Sequence, residues 1–351
     1  MTLRALDSGT DREAWLTNWK RWGEREPSAH PSYATSFARD EDRTVCLTYQ
    51  SPHGSVLFPV IERPLAAEPW TPDDVSARDL VTPYGYGGPF CFDVSDRDAL
   101  QGGFWEAFEA WAGQRRIASL FGRLSLFADQ LLRWPRGVVE VQSNVVRRLD
   151  CTPDELWRDY AHKVRKNVKR ARRAGLVVEQ SEGTRYLDDL CTIYDATMRR
   201  NAAADGYFFP RSFFETLVRE LLGNHMVFVV RDTNGRAVSA ELVLASSSHL
   251  YSFLGGTMQD GFADRPNDLL KHAVCEWGMA TGRTAFVLGG GYGADDGIFR
   301  YKRSFAPTGT VPFRVGRLVL DEDGCAGLVE LRRQHDEGWR PREGFFPAYR
   351  S

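Results

Sequence analysis

Thr152-Pro-Asp-Glu-Leu-Trp-Arg-Asp-Tyr-Ala-His-Lys-Val-Arg-Lys-Asn-Val-Lys-Arg-Ala-Arg-Arg-Ala-Gly175 decides how this chain is read as a fold. Thr152 with Glu155 three residues on is a capping box, and Pro153 stands at the first helical position. Leu156, Tyr160, Val164, Val168 and Ala171 share one helical face, so the spacing predicts one helix that buries this stripe and closes at Gly175. The other faces are basic. Between Arg158 and Arg173 stand Arg158, Lys163, Arg165, Lys166, Lys169, Arg170, Arg172 and Arg173, against Asp159 alone. In a chain of net charge −2 this local excess marks either a solvated face or a surface for an anionic partner.

Outward from this helix the elements alternate. Downstream, a strand is predicted at Leu176–Gln180 and helices at 185–200 and 210–222. Met226–Arg231 and Arg236–Ala245 form a predicted hairpin around Asn234-Gly235. A strand at His249–Gly255, a helix at Pro266–Thr281 ended by Gly282, and a strand at Thr284–Leu288 follow. Upstream, a helix near 11–22 precedes strands Thr44–Gln50 and Ser55–Glu62. A Pro-rich loop then leads to Pro83-Tyr-Gly-Tyr-Gly-Gly-Pro89, a helix at Gly103–Arg115 and a strand at Ile117–Leu124. Both halves run hairpin, loop, helix, strand, which fits two copies of one mixed α/β unit. The expected domains are 1–150 and 151–316. A tail, 317–351, opens with a strand at Arg317–Leu320 and is expected to pack back on the first domain.

The 351 residues suit two domains, and 42% hydrophobic with 26% charged residues is a soluble globular composition. Apolar runs such as Met226–Val230 fall far short of the ~20 residues that span a bilayer. The N-terminus lacks the apolar core of a signal peptide. A cytoplasmic protein without an integral membrane segment is expected. Six scattered cysteines show no metal spacing, and no His-Glu-x-x-His or Gly-x-Ser-x-Gly occurs, so neither a metal site nor a serine elbow is expected.

Gly289-Gly-Gly-Tyr-Gly293 follows a predicted strand without the Gly-Lys-Ser/Thr of a P-loop. Its glycines let backbone approach a ligand closely, or simply form a turn. Asp295 and Asp296 lie in the same loop, where either could orient an amine, and Glu241 is a further candidate base. Phe299-Arg-Tyr-Lys-Arg-Ser-Phe305 comes next. Lys302, placed by aromatic neighbours just after the loop, is suited to stabilise an oxyanion or an anionic leaving group. The open alternative is a solvated surface lysine.

Four segments together resemble the Fem-like aminoacyl transferases and their BioF2-like relatives in the GNAT superfamily. They are Pro83–Pro89, the basic helix Val164–Gly175, Thr197-Met-Arg-Arg-Asn-Ala through Tyr207-Phe-Phe209, and Gly289–Phe305 with Lys302. The resemblance implies an α/β (mixed α+β) fold of two tandem GNAT-like domains, each a central mixed sheet flanked by helices, with the donor on the second. It implies transfer of an aminoacyl group from aminoacyl-tRNA, as co-substrate, to an amine acceptor, either a cell-wall precursor or a small molecule such as an antibiotic intermediate, with no resident cofactor. Lys302 would stabilise charge, with Asp295 and Asp296 beside it. Tyr84, Tyr86, Arg199, Asn201, Tyr207, Phe209, Tyr292 and Tyr301 would bind substrate. Arg165, Lys166, Lys169, Arg170, Arg300 and Arg303 would hold tRNA phosphates. No long coiled-coil insertion interrupts the second half, as in the shorter members. Arg172-Arg-Ala-Gly175-Leu-Val177 is the nearest approach to the pyrophosphate loop of CoA-dependent GNATs. It ends in Val and joins a helix to a strand, the wrong order. An acyl-CoA or carrier-bound acyl donor remains the alternative, and a non-catalytic module of the same fold the third.

Overall fold

The structure, a computed structural model, describes residues 2–293 and 295–351. The chain opens with β1 (Thr2–Asp7), α1 (Arg12–Arg21), α2 (Pro31–Thr35), β2 (Arg43–Ser51) and β3 (Gly54–Pro64). Next come β4 (Arg78–Val81), β5 (Phe90–Phe92), α3 (Arg97–Gln114), β6 (Ile117–Arg123) and β7 (Val138–Arg148). Helices α4 (Pro153–Asp159) and α5 (His162–Arg173) lead to β8 (Val177–Ser181), α6 (Leu187–Arg200) and α7 (Arg211–Glu220). Then follow β9 (His225–Arg231), β10 (Ala237–Ala245), β11 (His249–Thr257), α8 (Pro266–Ala280) and β12 (Ala285–Gly289). The chain closes with α9 (Gly297–Arg303), β13 (Thr310–Val319) and α10 (Glu322–His335).

Two compact units result: one of residues up to Val141 together with Phe313–Ser351, the other Gln142–Pro312. The expected boundaries at 150/151 and 316/317 are thus displaced. The chain changes unit inside β7 and inside β13, two strands that carry no boundary signal in their residues.

In the first unit the sheet runs β1-β2-β3-β4-β6-β13, parallel between β4 and β6 and antiparallel elsewhere, with β5 on β3. Its core is aromatic: Phe58, Phe104 and Phe108 are fully buried, and Phe58 meets Trp134 edge-on at 6.1 Å. Trp134 lies directly on the β6–β13 pair. A Cβ on Gly122 or Gly316 would come within 2.6 or 2.2 Å of its indole, so only glycine fits at either position.

In the second unit the order is β7-β12-β11-β10-β9-β8, parallel between β11 and β12. Val164, Val168 and Ala171 of α5 join Leu270 and Val274 of α8 in one core with Val243 and Ala245 of β10. Alternate β10 residues Leu242 and Leu244 are buried outside that cluster, where α6 lies against β10 and β11.

The predicted continuous helix 152–175 is two helices. The capping box forms, with Thr152 Oγ1 accepting from Glu155 N and Glu155 closing back on Thr152 N. But Tyr160 is extended (ψ 141°), and α5 starts afresh. The apolar stripe survives the break, because Leu156 and Tyr160 stay buried in the same core. In the tail, α10 is a helix for which the sequence reading held no expectation. It buries Leu328 alone, too little apolar patterning to signal a helix. All six cysteines are free.

Candidate active site

The site grows from β11 and β12. They pair in parallel at His249–Ala285, Leu250–Phe286 and Tyr251–Val287, and there the pairing ends. β11 runs on to Thr257 and β12 to Gly289. Against β10 the register slips between Leu242–Leu254 and Val243–Ser252, so one extra β11 residue forms a bulge and bends the strand. Ser252–Gly256 are half-buried. The backbone groups of this segment are thus no longer paired to β12.

Beyond β12 the glycine turn is held by one carboxylate. Asp296 caps α9 by accepting from Phe299 N (2.7 Å) through one oxygen, and accepts from Tyr292 N (2.6 Å) and Gly293 N (3.0 Å) through the other. These backbone N–H groups hold its pKa below the usual carboxylate range. Phe299, buried, fixes α9 to the core. One turn on, Lys302 Nζ donates to the Gly290 carbonyl at 2.7 Å. A Cβ on Gly290 would sit 3.0 Å from the Ser143 carbonyl, so glycine lets the chain pass close to β7 where Lys302 meets it. Burial pushes the Lys302 ammonium down to about 8, helped by the Lys271 cation and opposed by the Glu241 and Asp296 carboxylates.

Nearby lies a buried polar cluster. Lys271 of α8 donates to Glu241 Oε1 of β10 (2.5 Å) and to Ser252 Oγ of β11 (2.7 Å), while Ser252 donates to the same Glu241 oxygen (2.5 Å). Lys271 and Glu241 are 6% and 4% exposed, so this is a desolvated ion pair. Among the described residues, Glu241 Oε2 and the Tyr301 hydroxyl are buried without a hydrogen-bond partner. Burial, with the Asp268 and Glu241 charges, drives the Tyr301 hydroxyl well above its ordinary pKa. Burial also raises Asp268, which accepts from Asn167 Nδ2 at 3.0 Å. A cation whose charge is poorly hydrated, set where two strands part, is equipped to stabilise charge developing on a bound carbonyl or leaving oxygen.

Residues 158–303 match the family model described as the acetyltransferase (GNAT) domain. The crystal structure of FemX superposes with a TM-score of 0.69 at 11% identity, over 93% of this chain and 99% of that one. Residues 158–303 thus carry a GNAT acyltransferase domain, and the chain has the fold of FemX. L-PGS from Bacillus licheniformis is also similar, with a TM-score of 0.54, 14% identity, and 87% of this chain over 91% of that one. So is a C-terminal domain assigned to lysylphosphatidylglycerol synthetase of Agrobacterium fabrum, at 0.53 and 14%, over 93% and 99%. No curated protein sequence matches. At these identities the likeness is one of fold.

Around the turn of this GNAT domain the structure gathers Tyr292, Asp295, Asp296, Arg300, Tyr301, Lys302 and Arg303. The two acids differ in setting. Asp296, engaged by three backbone N–H groups, shapes the loop. Asp295, exposed and at positive φ (52°), pairs with Arg303 (3.3 Å) and Arg300 (3.9 Å) on the surface. Arg165 turns back through Nη1 onto the Arg158 (2.8 Å) and Tyr160 carbonyls, where it closes α4. Lys166, Lys169 and Arg170 are exposed. Arg199, Asn201, Tyr207 and Phe209 form a separate group at the α6–α7 connection. There Arg199 pairs with Asp195 (2.7 Å), Tyr207 lends its carbonyl to the Tyr194 hydroxyl (2.7 Å), and Phe209 stacks on Phe213 (4.1 Å). Tyr84 and Tyr86 belong to the first unit, stacked on Phe37 (5.4 Å) and edge-on to Phe313 (5.7 Å). Lys271, Ser252 and Asp268 were missed. The readable signals were a lysine among Leu269, Leu270 and Val274 in α8, and Glu241 in the apolar run Ala240-Glu-Leu-Val-Leu244.

No helix among the described residues is long and apolar enough to cross a membrane.

Proposed function

We propose that the second unit forms an amide by aminolysis, moving an aminoacyl group from aminoacyl-tRNA to the amine of a cell-wall precursor or another small molecule. The acyl chain lies where the pairing of β11 and β12 has ended, with its carbonyl near Lys302. The amine nitrogen bonds to the carbonyl carbon, the ester C–O bond to the ribose breaks, and the amine proton ends on the leaving oxygen. Lys302, as a cation, stabilises the oxyanion and the departing alkoxide. The observation that carries this reading is Lys302 itself: half-buried, hydrogen-bonded to Gly290, and placed where the parallel pairing of β11 and β12 has ended.

Two features support tRNA as the donor. The exposed Lys166, Lys169 and Arg170 of α5 offer cations to phosphates. The stretch Arg172–Val177 supports no pyrophosphate loop, because Gly175 (φ 75°) closes α5 and leads into β8. A lysylphosphatidylglycerol synthetase among the similar structures is, by its name, a protein that joins an amino acid to an acceptor. The family name, acetyltransferase, favours acyl-CoA as the second reading. Charged tRNAs and acyl-CoAs assayed against a panel of amines decide between them. Amide product abolished by ribonuclease is the expected result, and release of free CoA thiol with amide formation would overturn the tRNA reading.

A further inference from the structure

We propose that the first unit carries a small-molecule site of its own, for a flat apolar molecule bearing a phosphate or a carboxylate. A cavity of about 630 Å³ lies in this unit between strands β4, β6 and β13 and the tail around Phe345. That is the size of an ordinary ligand pocket.

The lining decides the ligand's chemistry. Five of the lining side chains are arginines, and Glu68 is the one acid among them. Glu68 is already engaged by Arg350 (2.5 Å) and Arg39 (3.1 Å). Asp79, fully buried, is engaged by Arg63 (2.7 Å) and Arg350 (2.5 Å). Arg350 is nine-tenths buried, its side chain 10% exposed. Arg317 donates through Nη2 to the Gly344 carbonyl (2.8 Å). Arg332 has its guanidinium over the rings of Trp70 (5.5 Å) and Trp339 (5.7 Å).

Five guanidinium groups against the Glu68 and Asp79 carboxylates leave the surroundings of this cavity strongly positive. An oxyanion supplies several lone pairs and a negative charge at once, and planar guanidinium groups suit it geometrically. The remaining wall is apolar and aromatic, with Phe121, Phe313 and Phe345 facing the same space. It favours a flat hydrophobic body on the same molecule.

The test is calorimetric titration of the full chain with phenyl phosphate, benzoate and inorganic phosphate. Saturable one-to-one binding of phenyl phosphate or benzoate is expected, at least about tenfold tighter than inorganic phosphate; the stronger of the two identifies the oxyanion. Arg317→Gln and Arg332→Gln should each weaken it by about tenfold or more. Val141→Trp adds bulk at an exposed position of the lining, so it should block binding with an unchanged melting temperature even if an arginine variant folds poorly. Lys302→Ala should bind as the parent does. The proposal is overturned by no saturable binding of either aromatic anion, by inorganic phosphate binding equally well, by affinity unchanged in all three cavity variants, or by loss of binding in Lys302→Ala.

Discussion

Lys302 is where the predicted chemistry is most exposed to test. If its charge stabilises the oxyanion, Lys302→Ala should lower turnover by about 10²–10³ with a smaller effect on substrate affinity. Steady-state rates on the amine panel measure this, and unchanged turnover sinks the assignment. Its depressed pKa adds a pH signature. The group is cationic below about 8 and loses its charge as pH rises through that value, so activity should fall on the alkaline side near pH 8. Lys302→Arg, which stays charged, should carry that limb to higher pH. A rate that instead rises through pH 8 would mean that the neutral amine acts as a base. The sequence alone placed Lys302 after a glycine turn, and the four-segment resemblance made it a site residue. Its burial was not legible, because the Gly290 carbonyl that receives it lies across a turn whose shape depends on Asp296. The same dependence hid the role of Asp296: a loop acid that binds three backbone N–H groups looks, in sequence, like any acid beside a lysine.

At the scale of elements, α5 and the β10–α8 pair make separate predictions. Neutralising Lys166, Lys169 and Arg170 together should flatten the salt dependence of binding to an anionic partner. The slope of log affinity against log salt should change by up to roughly 0.7–0.9 for each phosphate that is no longer neutralised. An unaltered slope would leave α5 as a solvated face. Lys271 and Glu241 tie α8 to β10 through a desolvated ion pair. Lys271→Met alone strands the buried Glu241 carboxylate and should cost about 3–5 kcal/mol in chemical denaturation, whereas Lys271→Met with Glu241→Leu should recover most of it. A double variant no more stable than the single one would show that the pair is not coupled in this way. Helix periodicity was strong in the sequence here because apolar stripes repeat along α5, α6 and α8. The break at Tyr160 was not legible, since the stripe passes through it intact and the backbone change is closed by Arg165, a residue that reads as surface charge.

The first unit is assembled from both ends of the chain, and that makes its stability depend on a few tail residues. Tyr349 is 1% exposed, with its hydroxyl 2.7 Å from Ser119 Oγ and 3.3 Å from Asp79. Arg350 reaches Asp79 and Glu68, each at 2.5 Å. Asp79 sits on β4 with no exposure, so its charge is tolerated only while Arg63 and Arg350 together face it. None of this could be read from a polar, aromatic tail, because the partners stand some 270 residues apart in sequence. Deleting residues 345–351 removes the Tyr349 packing and one of the two cations on Asp79. The expected cost is about 3–5 kcal/mol, read as an earlier unfolding transition in denaturant. Arg350→Met tests the charge alone. Because Tyr349 packing is kept, its loss should be smaller than that of the deletion, and Asp79→Asn in the same chain should restore part of it by removing the carboxylate that Arg350 neutralised. Equal losses in Arg350→Met with and without Asp79→Asn would place the tail's contribution in packing and not in the buried charge.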